Sequence, residues 1–165
     1  MAKAAARAVD RRLLKRKLGR DGDDDRLRAI RTAVPDKRLI IDANEAWNEN
    51  NIEMLLRVCE ETGIELVEQP LPADSDGILV ELDRPIPICA DESAHALDSL
   101  DDVALRYDAI NIKLDKTGGV TEALALAEAA QLRGMTLMVG CMLATSLAMA
   151  PAMLVAQKAS FVDLD

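Results

Sequence analysis

The feature that most constrains this chain is a series of short apolar runs, each ending in a charged side chain, at a nearly constant interval. The runs are Leu13-Leu14-Lys15-Arg16-Lys17, Leu39-Ile40-Ile41-Asp42, Leu66-Val67-Glu68, Ile86-Pro87-Ile88-Cys89-Ala90-Asp91 and Ile110-Asn111-Ile112-Lys113. From Lys17 the successive steps to Asp42, Glu68, Asp91 and Lys113 are 25, 26, 23 and 22 residues. An interval of that size holds one strand, one helix and two loops. That is the repeat unit of a parallel β/α barrel, whose chemistry sits at the carboxyl ends of its strands. Three carboxylates flanked by lysines are therefore expected at one mouth.

Helical patterns fall near Ala2 to Asp10, Asp23 to Ala33, Asn50 to Thr62, Gly119 to Arg133 and Thr145 to Lys158, with shorter ones near Asp74 to Leu82 and Leu97 to Leu105. Between them lie seven strand candidates: the five runs above, then Thr136 to Met142 and Ser160 to Asp165. Alternation of this kind implies an α/β fold with a parallel sheet and right-handed crossovers. A complete eight-stranded barrel typically takes about 250 residues, so 165 residues predict an incomplete barrel with about seven of its eight strands. No low-complexity linker or internal domain boundary is visible, and the expectation is one partial barrel domain over 1–165.

Charge and cysteine usage exclude several functions. A net charge of −9 argues against nucleic acid, because phosphate binding needs a basic surface. Cys59, Cys89 and Cys141 are odd in number and far apart, which suits reduced thiols in a cytoplasmic protein rather than disulfides or structural zinc. Two segments could mislead. Residues 1–20 carry eight Lys or Arg against Asp10 alone; an Ala- and Arg-rich start can be a transit peptide, but a solvated basic helix running into a strand is the reading that also fits Lys15 and Lys17. The uncharged stretch from Gly134 to Gln157 approaches the length of a membrane span, but Gly140, Thr145-Ser146 and Pro151 divide it into a buried strand and a buried helix.

The charged run ends suggest a chemistry. Asp42, Glu68 and Asp91 offer hard oxygen ligands suited to Mg²⁺ or Mn²⁺. A divalent cation offsets the charge that builds when a proton is removed next to a carboxylate. A lysine must be neutral to act as a base, and a second cation beside it favours that form. Lys15 and Lys17, two apart on a strand, share a face, and Lys113 is expected to share its face with Asp115 in the same way. Each piece has a bland alternative: a strand-end carboxylate can cap a helix, and a Lys-x-Lys can be a solvated edge. Five such positions in register with five strand ends favour a site. His95, just after Asp91, is read as a loop or helix-start residue, Trp47 as packing or mouth lining, and Cys141 as a small buried residue.

Taken together, Lys15-Arg16-Lys17, Asp42-Ala43-Asn44, Glu68-Gln69-Pro70, Ala90-Asp91-Glu92-Ser93, Lys113-Leu114-Asp115 with Gly118-Gly119, and Asp163-Leu164-Asp165 resemble the enolase superfamily. Within it they are similar to the muconate-lactonizing subgroup, and there to the dipeptide epimerases of the L-Ala-D/L-Glu type. The resemblance runs from about Leu13 to Asp165. It implies Asp42, Glu68 and Asp91 as ligands of Mg²⁺, with Mn²⁺ as a substitute, and Lys17 and Lys113 as an opposed acid/base pair. Lys15 and Asp115 would support those lysines. Asp163 and Asp165 would hold the α-ammonium group of a dipeptide substrate. The implied reaction is epimerisation by 1,1-proton transfer through an enediolate.

Relative to that family pattern, the capping domain and the first barrel strand are expected to be missing. An inactive truncated remnant is thus one alternative function. A cycloisomerase or o-succinylbenzoate synthase of the same subgroup is another, disfavoured by Asp163 and Asp165. Arg16, between the two lysines, should point into the apolar helix layer, where charge is costly. An open barrel also predicts self-association.

Overall fold

The computed structural model describes residues 11–19 and 21–164. The helix expected over Ala2 to Asp10 lies outside the described residues, as does Asp165. The chain divides into two compact units, Met1–Ile88 and Cys89–Asp165.

In the first unit β1 (Leu13–Lys17), β2 (Arg38–Asp42) and β3 (Ile64–Glu68) pair in parallel and in chain order. The continuous apolar run Leu39-Ile40-Ile41 is buried throughout, as a parallel strand covered on both faces requires. Helix α1 (Asp23–Ala33) follows β1 and opens with Asp23, Asp24 and Asp25, three acidic residues where the helix dipole favours negative charge. Helix α2 (Ile52–Glu61) buries Ile52, Leu55, Leu56 and Cys59, spaced i, i+3, i+4 and i+7 along one face. The segment expected to be a short helix after β3 is a 3₁₀ turn at Gly77–Val80.

In the second unit β4 (Ile88–Ala90), which begins at the unit boundary, pairs with β5 (Ala109–Ile112) through Cys89–Ala109 and Ala90–Ile110. Strands β6 (Thr136–Gly140) and β7 (Phe161–Asp163) continue in parallel. A 3₁₀ turn at Leu97–Ser99 leads into α3 (Leu100–Arg106), and the short α4 (Leu114–Thr117) precedes α5 (Val120–Leu132). The helix expected over Thr145 to Lys158 is instead two segments, α6 (Ser146–Met149) and α7 (Ala152–Ala156). Ala150 and Pro151 between them keep right-handed helical angles, but proline has no N–H to donate to the preceding turn.

Seven parallel strands alternating with helices make this the incomplete β/α-barrel class anticipated from the spacing. Among the described residues no helix is long and apolar enough to cross a membrane. Cys59, Cys89 and Cys141 are free thiols.

Candidate active site

In the first unit the register sets Lys17 beside Asp42 and Asp42 beside Glu68, so the ends of three neighbouring strands lie level. Lys15 and Lys17 do share a face. The Lys15 ammonium lies 3.2 Å from Asp42 Oδ2 and 2.7 Å from Glu68 Oε2. Lys17 lies 3.7 Å from Asp42 Oδ2 and donates to Asn44 Oδ1 at 3.0 Å. The two lysines differ in access: the Lys15 side chain is 15% exposed and that of Lys17 70%. Lys15 is thus a bridging cation held between two carboxylates, whereas Lys17 keeps a solvent-facing amine that an incoming molecule can reach. Arg16 between them is half-buried, and its Nε is buried with no hydrogen-bond partner among the described residues.

Asp42 and Glu68 are 4% and 1% exposed. Carboxylates removed from water to this degree need cations or hydrogen-bond donors beside them. Asn44 supplies one such donor, its backbone N–H bonding Asp42 Oδ1 at 3.0 Å. It can do so because it adopts the left-handed region at φ 49°, which asparagine tolerates better than most residues. The loop continues through Glu45, whose N–H donates to Gln69 O at 2.8 Å and whose Oε1 accepts from the Ala73 N–H at 2.9 Å. Trp47 is buried rather than mouth-lining. Its backbone N–H donates to Pro70 O at 2.9 Å and its indole to Asp23 Oδ2 at 3.3 Å.

In the second unit Asp91, also 4% exposed, is gripped by two lysines. Lys113 donates to Oδ2 at 2.5 Å and Lys116 to Oδ1 at 2.7 Å, while Lys116 also bonds the Asp91 backbone carbonyl at 2.6 Å. Burial is the largest single influence on the Asp91 carboxyl and would raise its pKa. The ammonium of Lys116 and then that of Lys113 outweigh it and hold the pKa below the usual carboxylate range.

One expectation is corrected here. Strand β5 ends at Ile112, and Leu114 begins a helical turn, so the alternation that would place Asp115 on the face of Lys113 does not apply. Asp115 is exposed, and Lys116, which sequence reasoning passed over, takes the place beside Asp91. Lys113 and Lys116 are three apart, the spacing that brings side chains to one side of a helical turn.

Asp163 ends β7 opposite Gly140 and is half-buried, its carbonyl accepting from the Cys141 thiol at 3.8 Å. Gly140 itself is required by a neighbour. A Cβ there would lie 2.8 Å from Oδ1 of buried Asn111. His95 is exposed in the turn after Asp91.

Among the described residues no three His, Cys, Asp or Glu side chains are grouped closely enough to hold a metal ion. The cations beside the buried carboxylates are lysine ammonium groups. Taken by residue type, Asp42 and Glu68 in the first unit and Asp91 in the second are buried carboxylates at or next to strand ends, the hard-oxygen ligands that suit Mg²⁺.

Comparison with known proteins adds independent information. The family model described as "Enolase C-terminal domain-like" matches residues 1–163. The chain is 49% identical over 154 residues to the L-Ala-D/L-Glu epimerase of Escherichia coli (strain K12), covering 93% of this chain and 48% of that protein. It is 46% identical over 153 residues to the N-acetyl-D-glutamate racemase of Pseudoalteromonas sp, covering 93% and 49%. Among solved structures it matches an enolase family member from Agrobacterium tumefaciens with homology to dipeptide epimerases, determined with bound sodium and L-Ala-L-Glu. That likeness has a TM-score of 0.97 and 55% identity over 99% of this chain and 50% of the other. The dipeptide epimerase of Cytophaga hutchinsonii, complexed with Mg and D-Ala-L-Val, matches with a TM-score of 0.93 and 28% identity over 99% and 48%. The chain spans about half the length of the curated relatives it matches.

Proposed function

We propose, from the premise that this chain belongs to the enolase C-terminal domain-like family, that it carries the acid/base machinery of a Mg²⁺-dependent epimerase acting on a dipeptide of the L-Ala-D/L-Glu type. The observation that carries this reading is the repeated pairing of a strand-end lysine with a buried carboxylate: Lys17 with Asp42 after β1 and β2, and Lys113 with Asp91 after β5 and β4. The names of the relatives, epimerases and racemases among them, support the reaction class.

In this scheme Lys17 removes the α-proton from one epimer and Lys113 returns a proton to the opposite face; for the other epimer the roles reverse. A Mg²⁺ ion held by Asp42, Glu68 and Asp91 would neutralise the charge that gathers on the substrate carboxylate as the proton leaves. Lys15 pairs with both Asp42 and Glu68, and Lys116 orients Asp91 through both its carboxylate and its carbonyl. Asp163, with Asp165, would receive the substrate's α-ammonium group.

The test is proton exchange in heavy water with L-Ala-L-Glu and L-Ala-D-Glu supplied separately. Lys17→Ala and Lys113→Ala are each expected to abolish epimerisation, and each to retain exchange of only one epimer. Exchange of both epimers at wild-type rate in either variant would refute the two-base scheme.

A second substrate reading follows from the N-acetyl-D-glutamate racemase relative, because an N-acylated amino acid has no α-ammonium group. Asp163→Asn separates the two. It should slow a dipeptide and leave an N-acylated substrate unaffected if the ammonium reading is right. If N-acetyl-glutamate is the better substrate of the unmodified protein, the N-acyl reading replaces it.

A further inference from the structure

A carboxylate outside the strand-end series joins two loops that flank Lys17. Asp23, the first residue of α1 and 4% exposed, accepts the Gly19 N–H on Oδ2 at 2.8 Å and the Trp47 indole N–H on the same oxygen at 3.3 Å. Its Oδ1 accepts from Arg26 at 2.7 Å. Gly19 lies two residues beyond Lys17, in the loop after β1. Trp47 closes the loop after β2 that contains Asn44, the hydrogen-bond partner of Lys17.

The two loops are also in direct contact. Gly19 has φ +128°, and a Cβ there would lie 2.8 Å from Ala46 Cβ and 3.3 Å from Ala43 O. Leu18 N–H donates to Asp42 O at 2.8 Å. The backbone on either side of Lys17 is thus fixed to the loop of Asp42 and Asn44, and Asp23 supplies a buried polar contact that reaches both. Lys17 has an exposed amine on a long flexible stem, with little packing of its own to define its position. Where its amine sits depends on where these two loops place its stem and its partner Asn44.

We propose that Asp23 is a positioning residue for Lys17: by bonding Gly19 and Trp47 with one oxygen, it sets the two loops from which the amine is aimed. The inference rests on the reading of Lys17 as a base. Displacing a reacting group by about 1 Å costs on the order of 100-fold in rate, and loss of an orienting residue typically costs about 10- to 100-fold.

The experiment uses Asp23→Ala, Asp23→Asn and Arg26→Gln in the full chain, with Lys17→Ala to identify the epimer whose proton Lys17 removes. Asp23→Ala is expected to slow exchange of that epimer by about 10- to 100-fold, acting on kcat rather than KM and leaving the other epimer unchanged. Asp23→Asn, which keeps an oxygen for Gly19 and Trp47, is expected to recover most of the loss. Arg26→Gln should retain the wild-type ratio of the two exchange rates. Trp47 is the single tryptophan, so ¹H–¹⁵N spectra give one indole resonance, which should shift in Asp23→Ala together with the amides of Lys17 and Asn44. Equal slowing of both epimers, or Lys17 and Asn44 amides at wild-type positions in both Asp23 variants, would overturn the proposal. If the unmodified protein exchanges neither epimer, the functional reading fails, and the Lys17 and Asn44 resonances alone decide the role of Asp23.

Discussion

Asp91 illustrates how a single residue's surroundings fix its behaviour. Burial alone would favour its neutral form, but Lys116 and Lys113 reverse the sign and lower its pKa. A carboxylate whose folded pKa lies below its unfolded value adds stability that is complete above about pH 4, and this is lost as the pH falls through the folded value. Asp91→Asn should therefore flatten the acid side of the metal-free protein's melting-temperature profile, measured from pH 6 down to 2, and an unchanged acid limb would contradict the pairing. The charged run ends were legible in the sequence because a strand end repeats at a fixed interval. Lys116 was not, because the chain leaves strand geometry at Leu114 and period-two reasoning stops applying there. For the same reason Asp115 was assigned to the wrong face. The contacts of Asn44 and Asp23 were hidden for a different cause: their partners, Lys17 and Trp47, are 27 and 24 residues away, and no local pattern signals a contact of that range.

Among the elements, the β/α alternation was legible throughout, and the boundaries were less so. Helix α1 has its expected limits, since its acidic first turn and apolar spacing are both local signals. The helix expected to run unbroken from Thr145 to Lys158 divides at Pro151, which removes a backbone donor; Pro151 was legible as a breaker of the apolar stretch, but not as a break inside the helix. One contact that joins helix ends was invisible to pattern reading. The Arg31 guanidinium donates to the carbonyls of Val34, Pro35 and Lys37 beyond α1, and to those of Thr62 and Gly63 beyond α2. Carbonyls at helix C-termini lack intrahelical partners, and this planar cation serves two termini at once, which a lysine cannot reproduce. Arg31→Met should cost about 2–4 kcal/mol in urea unfolding, with Arg31→Lys recovering little of it. A loss no larger than that of an ordinary surface substitution would show that solvent satisfies those carbonyls equally well.

For the molecule as a whole, charge governs how a metal test must be read. A net charge of −9 attracts any divalent cation in a diffuse way, and that attraction is screened by salt. A specific site differs in depending on particular ligands. Lys15 lies within ion-pair distance of both Asp42 and Glu68, so Mg²⁺ binding to these carboxylates would compete with an ammonium group, and affinity should fall when either carboxylate is neutralised. A ligand present at a hundredfold excess over its Kd stabilises the folded state by about 2.7 kcal/mol. In a chain of this size each kcal/mol moves the melting temperature by roughly 2–4 °C. Saturating Mg²⁺, at an ionic strength matched with sodium chloride, should therefore raise the melting temperature by about 5–10 °C, and Glu68→Gln should remove the rise. A rise of equal size in Glu68→Gln would assign the effect to diffuse charge. No rise in the unmodified chain would mean that the strand-end carboxylates, although buried and paired with lysines, do not bind the ion in these 165 residues.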